Sequence, residues 1–139
     1  MGMDIFRPDY KSIPSRVEQA TPKRIADVEA GYPFKTFTAL STNLDVSQTL
    51  LADALNINST TLQRRRGKRF TLVESNRIYQ FERLLELAEE TIGDKEDARR
   101  WLTSNNAILG DVPLSLARTA PGLDAVRRYL EQIRHGVYL

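Results

Sequence analysis

Apolar residues recur with helical spacing over most of the chain, and the breaks between stripes fall at Gly, Pro, Asn and Asp. The first 23 residues are the exception. They contain Pro8, Pro14 and Pro22 and no apolar period, which predicts little regular structure before Thr21. Ile5, Phe6 and Tyr10 are apolar enough to dock against the rest. Ile25 and Val28 begin a short helix that Gly31 ends. Pro33 fits the first position of the next helix, with Phe34, Phe37, Leu40 and Leu44 on one face. Ser47 caps a third helix holding Leu50, Leu51, Ala52 and Leu55. Asn56-Ile57-Asn58 is a short break, and Ser59 starts a helix that stops at Gly67.

Thr71-Leu72-Val73-Glu74 has the capping-box pattern: a hydroxyl for the third backbone N–H and a glutamate reaching back. It opens the strongest stripe, Ile78, Phe81, Leu85, Ala88 and Ile92, ended by Gly93. Asp94 caps a shorter helix with Ala98, Trp101 and Leu102, the last two read as core. Residues 103–112 are loop-like. Pro113 opens a short helix with Leu114 and Leu116, and Pro121-Gly122 punctuates before Leu123, Val126, Leu130 and Ile133. Gly136 ends that stripe and leaves Val137, Tyr138 and Leu139 beyond it. No stretch alternates with period two, so the fold expected is all-α, with about eight helical segments. The division expected is a tail over 1–24, a first helical unit over 25–70 and a second over 71–139.

Composition narrows the chemistry. The 139 residues include no cysteine and one histidine, which excludes disulfides, thiolate sites and multi-histidine metal sites. No nucleophile–base pair or phosphate-cradling glycine pattern is present, so no enzyme, cofactor or metal is expected. Glu86, Glu89 and Glu90 read as an exposed helix face, and His135 as a cation favoured at a helix end. No apolar run exceeds three residues, so neither a membrane span nor a signal-peptide core is expected, and the cytoplasm is the default compartment. The net charge of +2 is uneven. Residues 1–70 carry 11 Lys/Arg and 7 Asp/Glu, against 9 and 11 in residues 71–139. A basic front and a mildly acidic back suggest two jobs, with a polyanion at the front.

Residues 48–67 supply the pattern for that job. A helix-turn-helix needs a small residue where its helices cross, and Ala52 is placed for it. Leu51, Leu55, Ile57 and Leu62 hold the unit together, and Asn56 is a turn residue tolerant of positive φ. Arg65 departs from the pattern, since an apolar residue is expected there; its stem can pack while its head reaches out. With Leu62 inward at ~100° per residue, Thr60 and Arg64 point out, flanked by Ser59, Gln63 and Thr61. These types read base edges. Arg66, Lys68, Arg69 and Gln48 suit backbone phosphates. The competing reading is a solvated basic helix in an ordinary bundle, and the agreement of small residue, apolar spacing, polar face and charge favours DNA.

The back half resembles the toxin-binding domain of the Xre/MbcA/ParS antitoxins. The resemblance rests on Leu84 to Glu90, Gly93-Asp94, Ala98 to Leu102, Asn105-Asn106, Leu109-Gly110 and Pro113 to Leu116. Thr119, Gly122, Val126, Leu130, Ile133 and Gly136-Val137-Tyr138 complete it. Leu44 to Gly67 is similar to the Xre-like helix-turn-helix that precedes this domain, so the resemblance covers roughly residues 25–139. Two positions depart. Val112 stands where the family often has a hydroxyl before the proline, with the capping role expected to pass to Asp111, and Asn56 stands where it often has Gly.

The resemblance implies the antitoxin of a type II module. Its back half would block a RES-domain toxin that consumes NAD or transfers ADP-ribose, and its front half would repress its own promoter. Composition alone favours Val137 and Tyr138 folding back on the protein's own helices. The resemblance favours instead Gly136, Val137, Tyr138 and Leu139 entering the toxin's cleft, with Tyr138 as anchor, the Leu139 carboxylate as a polar handle and Arg134 at the rim. A lone helix-turn-helix covers little DNA, so a homodimer on a palindromic site is expected. The alternative is a helix-turn-helix regulator without a toxin partner.

Overall fold

The computed structural model describes residues 16–136, with side chains from Thr21 onward. Eight helices and no strand lie among them: α1 Arg16–Ala30, α2 Phe34–Leu44, α3 Gln48–Ala54, α4 Ser59–Arg65, α5 Leu72–Ile92, α6 Lys95–Thr103, α7 Pro113–Leu116 and α8 Ala120–Arg134. The all-α expectation and the number of segments both hold. The capping box is present in full: Thr71 Oγ1 accepts from Glu74 N at 3.2 Å, and Thr71 N donates to Glu74 Oε1 at 2.9 Å. Ser47 and Asp94 cap as read from the sequence, accepting from Leu50 N at 3.0 Å and Asp97 N at 2.8 Å.

The 21-residue α5 is the axis of the molecule, with α1, α2, α6 and α8 packed around it. Its stripe is buried as expected through Ala88, while Ile92 is half-buried at the edge. Leu84 and Leu87 widen the stripe, and Ser75 is fully buried because its hydroxyl accepts from Tyr32 N at 2.9 Å. Leu102, Val126 and Leu130 fill the other side. Trp101 is half-buried rather than central, with its ring stacked on Tyr129 at 6.1 Å. Phe34, Phe37 and Phe70 form a second focus under α2, with ring centroids 5.4 to 6.0 Å apart.

Several expectations are corrected. Within the described residues a helix already runs from Arg16, ahead of Thr21, and Pro22 lies inside it. One missing backbone donor is outweighed by tertiary contacts: Val28 packs on the core and Arg24 donates to both Glu86 oxygens, at 3.2 and 3.0 Å. Glu86 is accordingly half-buried, not part of a free acidic face, and Arg83 also donates to it at 2.6 Å. Burial pushes its carboxyl pKa up, and the hydrogen bonds from Arg24 and Arg83 outweigh that and leave it below the ordinary glutamate value. Pro33 is the extended N-cap of α2 rather than its first helical residue.

Pro121-Gly122 does not precede the last helix but sits in its first turn, where Thr119 Oγ1 accepts from Gly122 N at 3.1 Å. A first turn has no intrahelical use for the missing proline donor. Asp111 does not cap α7 from within: its Oδ1 accepts only from Val112 N at 2.7 Å, and α7 has no side-chain cap. Ile133 is 43% exposed, so the last stripe loses contact with the core one turn before its end.

Candidate nucleic-acid interface and toxin-binding end

The front site is built by α3, a tight turn and α4. Leu51, Ala52, Leu55, Ile57 and Leu62 are all buried, as the spacing requires. Asn56 adopts φ 61°, the left-handed conformation read from its type. Ile57 N then donates to Ala52 O at 2.8 Å, which closes the turn. Asn58 is an additional cap that sequence reading missed: its Oδ1 accepts from Thr61 N at 2.8 Å.

Leu62 inward leaves Ser59, Thr60, Gln63 and Arg64 exposed along the outer side of α4, with Thr61 half-buried on its flank. Arg64 Nη2 donates to Thr61 Oγ1 at 3.4 Å, and Arg66 Nε donates to Gln63 Oε1 at 2.8 Å. The Arg66 guanidinium also lies over the Phe34 ring, 5.1 Å from its centroid. Lys68 is exposed. Arg69 is exposed too, but its Nη1 donates to Gly31 O at 2.6 Å and so straps the α1–α2 turn. Gln48 is half-buried at the first position of α3. The structure thus leaves Ser59, Thr60, Gln63, Arg64 and Arg66 exposed together along α4 with Thr61 on the flank, while Leu62 and Arg65 turn away and Gln48 and Arg69 lie outside this helix.

Arg65 resolves the departure noted in the sequence. Its Nε and Nη2 donate to the two Glu74 oxygens at 2.7 and 3.1 Å, with the side chains 18% and 13% exposed. The carboxylate that completes the capping box of α5 therefore also holds the end of α4. Burial pushes the Glu74 pKa up, and the Arg65 fork and the Thr71 donors prevail and hold it below the usual value. A carboxyl whose pKa falls on folding adds stability above its unfolded value and loses it as pH falls through the folded one. Glu74→Gln is therefore expected to lower stability by about 2 kcal/mol at neutral pH. The difference from the parent should shrink toward pH 3; thermal midpoints measured from pH 3 to 7 check this, and a constant gap would contradict it.

The turn is also tied to the rest of the molecule. Asn56 Nδ2 donates to Arg118 O at 3.0 Å, and Arg77 Nη1 donates to Leu55 O and Asn56 O at 3.3 and 3.4 Å. No local sequence rule announces these bonds, because the partners lie 21 to 62 positions apart.

At the other end, α8 closes at His135, with Gly136 at φ 72°. His135 Nε2 lies 3.4 Å from Glu131 Oε1. Arg134 is exposed, and its Nη1 donates to Glu90 Oε1 at 3.2 Å, so in the isolated chain it faces α5. Val137, Tyr138 and Leu139 lie outside the described residues. No helix of the described residues is long and apolar enough to cross a membrane.

This geometry defines a helix-turn-helix protein that carries a second helical domain on the same long helix. Comparison with protein families gives it a name. The antitoxin Xre-like helix-turn-helix domain matches residues 23–89, and the antitoxin Xre/MbcA/ParS C-terminal toxin-binding domain matches residues 87–136. The chain belongs to the Xre/MbcA/ParS antitoxin family, a toxin–antitoxin assignment that implies DNA and a toxin as partners. No curated protein matches it.

Proposed function

We propose that the chain is the antitoxin of a type II module that occludes the active site of a RES-type toxin and represses its own operon. The observation that carries this reading is the tandem of family matches over residues 23–136, the first of them covering a helix-turn-helix with closed turn geometry. Residues 25–70 bind promoter DNA and residues 71–139 bind the toxin, with 1–24 preceding both. Arg134, Gly136, Val137, Tyr138 and Leu139 enter or border the toxin's cleft. The chemistry on NAD, degradation or ADP-ribosyl transfer, belongs to the toxin; the chain itself is a cytoplasmic inhibitor without catalysis. Two copies pair on a palindromic operator, so light scattering at micromolar concentration is expected to give a dimer.

The deciding experiment co-expresses a tagged RES-domain toxin from the same operon with the intact chain or with a chain ending at Gly136. The intact chain should co-purify and suppress NAD loss. The shortened chain should do neither. Equal inhibition by both would remove the C-terminal residues from the mechanism, and no complex with either would overturn the antitoxin role.

On DNA, Arg64 is the base reader and Lys68 a phosphate contact. Arg64→Ala should reduce discrimination between operator and random duplex by about 1–3 kcal/mol. Lys68→Ala should weaken both duplexes alike and flatten the salt dependence. Binding titrations at several salt concentrations check the pair. Identical behaviour of the two variants would refute the assignment of this face.

A further inference from the structure

A cavity of about 320 Å³ opens beside the turn between α3 and α4. Its apolar floor includes Leu55, Phe81 and Leu123. Arg77 of α5, Arg118 of the α7–α8 link and Arg127 of α8 also line it. The carboxylates nearby are Asp124, in the lining, and the exposed Asp53, 4.0 Å from the Arg118 guanidinium. Three cations against those two leave the cavity positive.

The three guanidiniums have unused donors. A guanidinium carries five N–H groups in a planar fork that fits two phosphate oxygens. The bonds from Arg77 to the turn use Nη1 alone. The Arg118–Asp53 approach is longer than a hydrogen bond. Arg127 is exposed, without a hydrogen-bond or ion-pair partner among the described residues. Asn56, the turn residue that precedes α4, belongs to the same cavity. The cavity is therefore continuous with the entry to the helix read above as facing bases.

We propose that Arg77, Arg118 and Arg127 form a clamp for a DNA backbone phosphate flanking the bases read by α4. The inference rests on the DNA-binding reading and extends it, because all three side chains come from beyond residues 25–70, the segment read as DNA-binding. The C-terminal half then contributes directly to operator affinity. The contact is to backbone, so it adds affinity for any sequence and leaves discrimination to α4.

The test uses the full chain and two duplexes: the DNA immediately upstream of its own reading frame and a random duplex of equal length. Binding is measured by fluorescence anisotropy from 50 to 300 mM salt for the parent, Arg118→Gln/Arg127→Gln, Arg127→Lys and Arg64→Ala. The double variant should lose about tenfold to a hundredfold on both duplexes near 0.1 M salt. Its slope of log affinity against log salt should flatten by about one, because the clamp neutralises one phosphate. Arg127→Lys keeps the charge and should keep the parent's slope. An unchanged slope in the double variant, with Arg64→Ala still losing operator preference, overturns the clamp and leaves the DNA reading standing. A parent chain that binds neither duplex overturns the DNA reading, and the clamp falls with it. A slope for Arg127→Lys equal to that of the double variant assigns these residues a structural role and also overturns the clamp.

Discussion

Gly122→Ala is expected to destabilise the protein by about 3 kcal/mol, the upper end for forced overpacking. The direction is opposite to the usual rule, in which alanine improves a glycine inside a helix by ~0.5–1 kcal/mol. The reason is a close backbone approach. A Cβ on Gly122 would stand 1.8 Å from Leu116 O and 3.0 Å from Thr119 Oγ1. Neither neighbour is a free side-chain end: Leu116 O accepts from Thr119 N, and Thr119 Oγ1 is the cap of α8. Making room means opening the turn from α7 to α8. Gly67→Ala is the matched control, since its Cβ would meet nothing within 4 Å and its φ is not positive. Urea unfolding of both variants checks the contrast. Equal midpoints would remove the close approach as the reason for a glycine at 122.

Phe37→Ala is expected to lose about 3–5 kcal/mol, roughly a fifth or more of the stability of an ordinary domain. Phe37 is fully buried between Phe34, at 5.4 Å, and Phe70, at 5.9 Å. Truncation leaves a void bounded by two rings that already hold other parts in place. Phe70 N donates to Tyr32 O at 2.9 Å, and Phe34 carries the Arg66 guanidinium over its face. The variant should therefore unfold at lower denaturant and, where still folded, bind DNA more weakly than its folded fraction accounts for. Phe37→Leu fills most of the volume and should cost under about 1.5 kcal/mol. A loss with Phe37→Ala no larger than with Phe37→Leu would mean that the rings close over the gap.

Features governed by neighbours three or four positions apart were legible in the sequence. The Thr71–Glu74 box, the stripe of α5, the caps Ser47 and Asp94 and the crossing at Ala52 are of this kind. So is Asn56, because few side chains tolerate a left-handed turn. What escaped reading depends on elements meeting in space. Arg65 looked like a misfit until Glu74, nine positions on and across a turn, supplied its partner. Arg24 meets Glu86 from 62 positions away, and that contact helps hold a helix that Pro22 seemed to forbid. Pro121-Gly122 reads as punctuation because both residues favour turns, yet a first helical turn accommodates them equally well. The outer face of α4 was legible as a set of residues. Its margins were not: Arg69 turned out to strap a turn, and the neighbouring arginines belong to another part of the chain.

The helix-turn-helix match and the toxin-binding match overlap at residues 87–89, within α5. No linker separates the two matches; a single helix about 31 Å long belongs to both. Such a strut transmits phase as well as distance. One residue inserted into its exposed face would rotate everything beyond by about 100° relative to the operator. A toxin held at the far end would keep its contacts with the chain while losing its bearing on any neighbour bound at an adjacent half-site. The same rotation would carry Arg118 and Arg127 away from the turn at Asn56, so the proposed phosphate clamp and the toxin's bearing would be lost together.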